Sequence, residues 1–242
     1  MRSAKEIKVI PVHKREADKL IIKHHYSKKV TQNSQINFAV LLDGRAIGAL
    51  QFGPSIDKRK TGPSIGCGMN DYLELNRMAI EDVGIKNIES RAISVCLKII
   101  KKKYPFLKAV LSFADACQCG DGTIYRASGF NLLAINKNKT LFSNGNTIIA
   151  DKTLNDKKNK NGKSMLTEYK KLGFKPLIGY QFKYVFYFDK KKKKKQKFIK
   201  FDEIPVECRM YLSKRGGSID NDASDFQLEE GGVIPTPLLQ KK

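Results

Sequence analysis

The order of apolar and polar residues in the first part of the chain predicts alternating strands and helices. Residues 7–12 form a short apolar run suited to a first strand, and residues 15–29 carry apolar side chains at helical spacing. Residues 36–53 contain two apolar runs on either side of Asp43-Gly44, the usual composition of a tight turn. We therefore expect a strand, a helix and a β-hairpin, in that order.

The pattern changes over the next segment. Residues 54–71 are rich in Gly, Pro and Lys, which predicts a long exposed loop, and loops of this length are often functional. Residues 72–80 alternate as a strand does, so that Glu74 faces away from Leu73 and Leu75. A polar side chain is thus expected on one face of an otherwise apolar strand.

A helix, a buried strand and a second helix follow. Residues 88–104 carry apolar side chains on one helical face, with Asn87 or Ser90 suited to cap the start. Residues 107–115 are almost continuously apolar, as expected for a central strand buried on both faces. Residues 122–130 predict a short helix, which a glycine ends.

The remaining elements complete an α/β domain. We expect strands at 131–136, 146–151 and 180–188, a basic loop at 151–164 and a short helix at 165–173. The order of elements predicts a three-layer α/β domain around a mixed, largely antiparallel central sheet. We place this domain at residues 1–190, and residues 191–242 form a basic run and a flexible tail.

The charge of the chain points to a polyanionic partner. Of 242 residues, 46 are Lys or Arg and 24 are Asp or Glu, which gives a net charge of +22. Binding to phosphates releases condensed counterions, so nucleic acid is the leading partner. No apolar run approaches the ~18–20 residues that span a bilayer, and the first residues lack the apolar segment of a signal peptide. Five cysteines without a framework spacing favour reduced thiols and a cytoplasmic location.

Polar residues of catalytic type lie at two junctions. The helix that starts near Asn87 offers unpaired backbone N–H groups to a phosphate, and Ser90 and Arg91 can add a hydroxyl and a cation. The alternative is a capped helix in which Arg91 pairs with Glu89 or Glu74. Both interpretations stay open at this point.

The second junction follows the buried strand. Asp115 and Tyr125 can serve as a base and an orienting donor, or Asp115 can simply cap the next helix. Cys117 and Cys119 have no second pair at zinc spacing, which argues against a structural zinc site. Whether a metal is needed cannot be read from the sequence.

The third candidate is the segment His24-His25-Tyr26-Ser27. A histidine here can be a metal ligand or a general base, because imidazole titrates near neutral pH. Neighbouring residues on a helix point about 100° apart, so one site would use only one of the two histidines.

Several stretches together resemble the Mom family of phage DNA-modification proteins, which have a GNAT-like acyltransferase fold. They occur in the order of the family and cover most of residues 20–188. The matching pieces are HHYSKK (24–29), FGP (52–54), LELNRMAI (73–80), NIESRAIS (87–94), SFADACQCGDGTIYRASGF (112–130) and LGFKP (172–176).

The resemblance implies a transferase that adds a carbamoylmethyl-type group to the exocyclic amine of adenine in DNA. It implies a phage origin, with the host cytoplasm as location, and two sets of residues lining the site. The catalytic set is Asp115, His25, Tyr26, Ser27 and Tyr125, and the donor-binding set is Glu74, Arg77, Asn87, Ser90 and Arg91.

Two features depart from what the resemblance implies. Family members carry a Gly-His pair where this chain has Cys119, Gly120 and Asp121, so Asp121 or Cys119 would take the part of that histidine. The segment before Arg91 also lacks the glycine-rich loop of GNAT domains that bind acetyl-CoA. The donor is therefore either an acyl-CoA held differently or another phosphate-bearing carrier such as aminoacyl-tRNA, which leaves tRNA as a possible second partner.

A mechanism follows as a hypothesis. An adenine in a duplex must be flipped out, or taken from an open strand, before its amine can reach a buried site. Asp115 or a histidine of the pair 24–25 would then accept the amine proton. The DNA backbone would be held by basic loops at 54–64 and 151–164, by the run at 190–200, and by single basic side chains. The individual candidates are Lys58, Arg59, Lys60, Arg126 and Lys183.

Two competing functions remain. An ordinary N-acetyltransferase acting on a protein or small molecule would bind acetyl-CoA and leave DNA unaltered. A non-catalytic nucleic-acid-binding protein would bind DNA through its basic residues and form no covalent product. The oligomeric state cannot be read from the sequence.

Overall fold

The computed structural model describes residues 2–117, 120–145, 147–151 and 165–208. Within these ranges, a central sheet carries helices on both faces, and a small second sheet lies beside it. The helices are α1 (Lys14–His24), α2 (Lys58–Ser64), α3 (Ile88–Lys103), α4 (Thr123–Ala127), α5 (Leu166–Lys171) and α6 (Lys190–Lys194). The strands are β1 (Lys8–Pro11), β2 (Ile36–Leu42), β3 (Arg45–Gly53), β4 (Tyr72–Ile80), β5 (Ala109–Asp115), β6 (Asn131–Lys137), β7 (Leu141–Ser143), β8 (Ile148–Ala150), β9 (Lys175–Pro176) and β10 (Tyr180–Tyr187).

The central sheet is mixed and mostly antiparallel, as the sequence predicted. Among the described residues it has seven strands in the order β1-β2-β3-β4-β5-β10-β6, and only β4 and β5 run parallel. The predicted hairpin joins β2 to β3, with Asp43 and Gly44 both at positive φ in its turn. The small sheet has the order β8-β7-β9.

The two faces of the sheet are covered by different helices. One face, which we call the α3 face, packs Leu73 and Leu75 against the apolar side of α3. The other face, which we call the α1 face, packs Ala79 against α1 and Tyr72 against Ile65, directly after α2. The result is the predicted three-layer arrangement, with alternate residues of β4 pointing to opposite layers.

A gap opens in the middle of the sheet between the two parallel strands. β4 and β5 are paired only at Tyr72–Ala109, Leu73–Val110 and Glu74–Leu111, although both strands continue beyond these pairs. A β-bulge at Asn76, between the pairs Gln51–Arg77 and Phe52–Leu75, bends β4 at this point. The backbone of residues 75–80 therefore has no strand partner on its β5 side among the described residues.

The structure differs from the predicted elements at several points. The predicted loop 54–71 contains α2, whose start is capped by the Asp57 side chain. The first helix ends at His24, so residues 25–29 lie outside it. Residue 146, most of the basic loop 151–164 and the tail from 209 lie outside the described residues.

The packed structure continues past Lys190, where the sequence predicted the compact domain to end. Ile204 and Cys208 are buried in the main core, and Ile199 forms a β-bridge with Leu132 at the outer edge of the sheet. The lysine-rich segment therefore connects the sheet to further apolar residues that bury surface against it.

Candidate functional site

The gap between β4 and β5 brings polar groups together on the α1 face. Glu74 lies on β4 at the last paired position, and Asp115 lies at the end of β5 on the same face, because it is four residues beyond the partner of Glu74. Neighbouring parallel strands that diverge leave room for a ligand where their ladder stops. These two carboxylates therefore stand on the two walls of the gap.

Glu74 is a half-buried carboxylate surrounded by polar and cationic side chains. Burial raises the pKa of Glu74, while the neighbouring Ser55 and Asn76 and the charges of Arg77 and Lys183 oppose this rise. Burial likewise lowers the pKa of Lys183, and the charge of Glu74 works in the other direction. The net shift of Glu74 is upward, which makes this carboxylate a better proton acceptor than an exposed one.

Three buried polar atoms beside Glu74 make no hydrogen bond of good geometry among the described residues, although Ser55 lies close enough to Glu74 and Tyr72 to interact weakly with both. They are Ser55 Oγ, Tyr72 OH and Asn76 Oδ1. Buried polar groups in native proteins are almost always satisfied, so a cluster of unsatisfied atoms marks a place where a ligand or water completes the bonding. Such a cluster lies on the β4 wall of the gap, on the α1 face.

Close packing of a glycine holds the β4 wall in position. A Cβ atom at Gly53 would lie 2.1 Å from the carbonyl oxygen of Asn33 and 2.7 Å from Asn76 Oδ1. The Asn33 and Asn76 side chains both donate to the carbonyl oxygen of Pro54. Only glycine allows the segment before β2 to approach the end of β3 this closely, which explains the glycine in the sequence Phe-Gly-Pro.

His25 is buried at the end of α1, next to the β4 wall of the gap. The backbone N–H of Ser27 donates to His25 Nδ1 at 3.1 Å, and the Ser27 hydroxyl lies 2.9 Å from the same atom. Burial, followed by the charges of Arg77 and Lys28, lowers the pKa of His25 to about 4. The imidazole is therefore neutral near pH 7, and its proton resides on Nε2 because Nδ1 accepts from Ser27.

Tyr26 and Arg77 complete this corner of the site. The exposed Tyr26 ring stacks on His25 with 4.3 Å between ring centroids. Arg77 donates from Nη1 to the carbonyl oxygen of Asn76 at 2.8 Å and from Nε to that of Lys29 at 3.4 Å. The predicted residues His25, Tyr26, Ser27 and Arg77 thus lie together. The side chain of His24 is not part of this group, and its buried Nε2 has no partner among the described residues.

The β5 wall is formed by Asp115 and by the neighbouring strand β10. Asp115 Oδ1 accepts a hydrogen bond of 3.0 Å from the backbone N–H of Cys117. Lys183, which pairs with Phe113 in the sheet, donates to Ser64 Oγ on α2. The sequence predicted Lys183 to be exposed, but it is half-buried, and its ammonium group belongs to the charge balance around Glu74.

The predicted donor-binding residues at the start of α3 lie on the opposite side of the sheet from Glu74. Asn87 occupies the N-cap position with φ of 64°, but its side chain makes no capping hydrogen bond. Ser90 donates to the Asn87 carbonyl oxygen at 3.1 Å, and Arg91 is exposed. The backbone N–H groups of residues 88–90 donate to no acceptor among the described residues, so they can bind an anion.

Tyr125 lies close to the start of α3. The Ser128 hydroxyl donates to the Ser90 carbonyl oxygen at 3.2 Å, which joins α4 to the first turn of α3. The Tyr125 ring is buried on the α3 face, 5.5 Å from the Tyr184 ring and 5.6 Å from the Phe130 ring. Tyr125 and Asp115 are therefore on different faces of the sheet, and the gap is the route by which both could reach one ligand.

Arg126 and Asp121 form a network that argues against their predicted functions. Arg126 contacts Asp121 Oδ2 at 3.1 Å, donates to Tyr184 OH at 2.8 Å and stacks over the Phe201 ring at 4.4 Å. Its contact with DNA stays a prediction, and the structure shows the guanidinium with three partners within the protein. Asp121 is likewise occupied and is a poor substitute for the family histidine, and Cys119, the other substitute, lies outside the described residues.

The remaining predicted DNA contacts lie on α2. Arg59 and Lys60 are exposed and Lys58 is half-buried, with Lys60 Nζ 3.7 Å from Asp57. Because Ser64 of this helix accepts from Lys183, the basic residues of α2 flank the α1-face side of the gap. They remain predicted contacts for a nucleic acid that enters the site from this side.

Sequence reasoning did not identify Ser55, Tyr72 or Ser64 as parts of the site. Ser55 directly follows Pro54, and Tyr72 lies on the same strand face as Glu74, two residues before it. The alternation along β4 was a usable signal for Tyr72. Nothing local indicated Ser64, because its contact with Lys183 spans 119 residues.

The chain matches one protein family over most of its length. The profile of the Mom protein family matches residues 6–205. The chain is 36% identical over 135 residues to the methylcarbamoylase Mom of Escherichia phage Mu, and the match covers 54% of each protein. It thus spans about half the length of that relative.

Solved structures resemble the chain more distantly. An acetyltransferase of Bacillus subtilis in complex with CoA has a TM-score of 0.42, with 11% identity, over 76% of this chain and 99% of that one. A GNAT family acetyltransferase of Elizabethkingia anophelis with acetyl-CoA bound has a TM-score of 0.41, with 13% identity, over 75% of this chain and 98% of that one. The fold class rests on the sheet order and helix layers described above.

Two kinds of feature are absent from the described residues. They contain no group of three or more His, Cys, Asp or Glu side chains arranged to hold a metal ion. Among the same residues, no helix has the length and apolar character needed to cross a bilayer.

Proposed function

The chain belongs to the Mom protein family, and we propose that it is a transferase that adds a carbamoylmethyl-type group to the exocyclic amine of adenine in DNA. The observation that carries the proposal is the pair of carboxylates, Glu74 and Asp115, on the two walls of a gap with unsatisfied polar atoms. The similarity to the phage Mu methylcarbamoylase supports the type of group transferred. The net charge of +22 supports a nucleic-acid substrate.

The amine of adenine needs a base, because its lone pair is delocalised into the ring and its attack releases a proton. We assign this role to Glu74, since burial shifts its pKa upward and Arg77 and Lys183 keep its charge balanced. Asp115 lies on the facing wall roughly 13 Å further along the strands, so it would bind another polar group of the nucleotide and orient the base. His25 would act as a donor through Nε2, because its Nδ1 is occupied by Ser27.

The donor side of the site is the start of α3. When bound, an acyl-CoA or aminoacyl-tRNA donor would supply an activated acyl carbon. Attack by the amine would join an acyl, glycinamide-like group to adenine and release the CoA thiol or the terminal tRNA hydroxyl. The free N–H groups of residues 88–90 and the exposed Arg91 fit a phosphate of such a carrier. This residue set does not distinguish the two carriers, since both present phosphate groups.

The proposal is tested by nucleoside mass spectrometry of DNA from cells that express the chain. We expect a modified adenine nucleoside with the wild-type chain, and a loss of roughly 10²–10⁴-fold in its rate of formation with Glu74→Gln. Unaltered DNA together with acetyl-CoA turnover on a protein or amine would instead identify an ordinary acetyltransferase. DNA binding without any covalent product, in either variant, would identify a non-catalytic binding protein.

A further inference from the structure

A notch lies at the corner of the sheet where β6 is shorter than its neighbour. β6 begins at Asn131, opposite Val185, and β10 continues for two residues, Phe186 and Tyr187, without a β6 partner among the described residues. A cavity of about 620 Å³ occupies this corner. Its volume falls within the roughly 300–1,000 Å³ typical of small-ligand sites.

The lining of the notch combines aromatic rings with cations. Phe186 and Phe198, both half-buried, contribute the rings, and Lys190, Lys193 and Lys194 contribute exposed ammonium groups. Within the described part of the chain, none of these lysines lies within salt-bridge distance of a carboxylate. Rings that can stack on a base next to cations that can bind phosphate are the usual elements of a site for a nucleotide unit.

The nearest acidic residue in sequence does not neutralise these lysines. Asp189 precedes α6, and its Oδ1 accepts a hydrogen bond of 2.8 Å from the backbone N–H of Lys191. The carboxylate therefore caps the short helix that carries the lysines. The cations remain available to an external anion.

Asn131 supplies an independent indication that the notch takes a ligand. It lines the cavity, and its Nδ2 is buried without a hydrogen-bond partner among the described residues. A buried amide donor without an acceptor is costly and is normally satisfied. An acceptor atom on a base or phosphate would satisfy it.

The notch continues into a second, smaller cavity. This cavity of about 270 Å³ shares Asn131 and Phe198 with the notch and extends to Lys200 and the Phe201 ring. Two adjoining cavities with basic residues along both favour a ligand that continues beyond one unit. A polynucleotide strand has this form.

The notch is separate from the gap that holds Glu74 and Asp115. On β10, Gln181 pairs with Asp115 and Tyr187 pairs with Ala109. Six residues of strand at ~3.4 Å each place Asp115 about 20 Å from the notch along β10. Glu74 is level with the notch, because it pairs with Leu111, which pairs with Val185, which pairs with Asn131, and three strand spacings correspond to roughly 14 Å. A base bound in the notch is therefore too far from Glu74 to be the base that reacts in the gap.

We propose that the notch binds a nucleotide unit of a polynucleotide strand, outside the reacting site. The base stacks against Phe198, which lies on the same sheet face as Asn131, while Phe186 closes the notch from the opposite face. The phosphate is held by Lys193 and Lys194, and Asn131 donates to an acceptor of the same unit. The notch would thus fix a part of the strand roughly 14 Å across the sheet from Glu74. This binding needs no step of the transfer reaction, so its test is a binding measurement.

The first experiment compares two double charge reversals in the full chain. We would measure binding of a short fluorescein-labelled single-stranded DNA by anisotropy for the wild type, K193E/K194E, and K101E/K102E at the exposed end of α3. Both variants change the net charge equally. We expect at least roughly tenfold weaker binding for K193E/K194E and a several-fold smaller change for K101E/K102E. An equal loss in both would show that only overall charge matters and would overturn the proposal.

The second experiment tests the aromatic contribution in the same assay. Phe198→Ala is compared with Phe106→Ala, which removes an exposed ring elsewhere on the surface. We expect roughly tenfold weaker binding for Phe198→Ala and no measurable change for Phe106→Ala. If Phe198→Ala unfolds, wild-type protein is crosslinked to a strand containing 5-bromodeoxyuridine. Adducts at Phe186, Tyr187 or Phe198 support the proposal, and adducts confined to residues 25–29 and 55–64 refute it.

A competition experiment distinguishes the sources of the nucleotide. AMP and ribose 5-phosphate are titrated against the labelled strand bound to wild-type protein. Competition by AMP alone supports recognition of base and phosphate in a single unit, and competition by neither supports recognition only within a strand. Equal competition by both would show a simple phosphate site and contradict the assignment of the rings.

Discussion

Two polar clusters lie on opposite faces of the sheet, and they differ in whether their groups are satisfied. Around Glu74, on the α1 face, Ser55, Tyr72 and Asn76 each have a buried atom without a partner among the described residues. Around Asp121, on the α3 face, Arg126 binds the carboxylate, and Tyr184 OH donates to the Asp121 carbonyl oxygen at 2.6 Å. The first cluster is built to receive a ligand, and the second is built to hold the protein together.

The difference also appears in the protonation of the two carboxylates. Burial is the leading effect on Glu74, and it raises the pKa. Burial also favours the neutral form of Asp121, but hydrogen bonds from Thr123 and Arg126 and the charge of Arg126 outweigh it, so the pKa of Asp121 is lowered. The Asp121 carboxylate, held by Arg126, stays ionised, whereas burial makes the Glu74 carboxylate readier to take up a proton.

Next to loss of the base Glu74, loss of the Asp115 carboxylate should give the largest effect on the gap. Asp115→Ala is expected to lower adenine modification by at least roughly 100-fold while DNA binding is retained, because the carboxylate orients the nucleotide whose amine reacts. Nucleoside mass spectrometry and DNA anisotropy measure the two quantities. Asp121→Asn, in the satisfied cluster, is the control and should keep its activity per folded molecule. Unchanged modification in Asp115→Ala would remove Asp115 from the site.

His25 should make the free energy of unfolding of the protein depend on pH. Its pKa falls from 6.5 to about 4 on folding, so between these values the unfolded chain binds a proton that the folded chain does not. The folded state therefore loses stability as the pH drops through this window, by up to about 3 kcal/mol from His25 alone. In His25→Asn this part of the loss should vanish from denaturant titrations at pH 7 and pH 4. His13→Asn, at an exposed position, should behave as the wild type.

A substitution in the cluster around Asp121 should lower the stability of the protein without changing the transfer reaction. Arg126→Ala leaves Asp121 and Tyr184 without their partner and is expected to lower the free energy of unfolding by about 2 kcal/mol, since the pair is mostly but not fully buried. Thermal and denaturant unfolding measure the change. Arg91→Ala, an exposed arginine, should be neutral in the same measurement. If Arg126→Ala keeps wild-type stability but binds DNA more weakly, the prediction that Arg126 contacts DNA is supported instead.

The smallest expected effect concerns the basic surface beside the open cluster. Arg59→Ala should reduce the slope of log affinity against log salt concentration for DNA by about 1, as for the loss of one phosphate contact. Arg15→Ala, on the first turn of α1, should leave the slope unchanged. Anisotropy titrations at several salt concentrations measure both. Equal slopes for the two variants would exclude α2 from the DNA contact.

Local patterns in the sequence were sufficient to predict the elements that carry the site. The hairpin at Asp43-Gly44, the apolar side of α3 and the position of Glu74 on the face opposite Leu73 and Leu75 all follow from short-range periodicity. These features depend on residues a few positions apart, and their geometry is set by the backbone itself. They were confirmed for that reason.

The partners of each polar group were decided only by the tertiary structure. Asp115 and Asp121 are six residues apart and look equivalent in sequence, yet one faces the gap and the other is held by Arg126. Lys183 and Arg126 were both predicted to contact DNA. In the structure Lys183 donates to Ser64, 119 residues away, and Arg126 donates to Tyr184, 58 residues away. Which groups are satisfied depends on long-range packing, which has no periodic signature. The family and the elements could therefore be recognised in the chain, whereas the distinction between an open and a closed cluster required the fold.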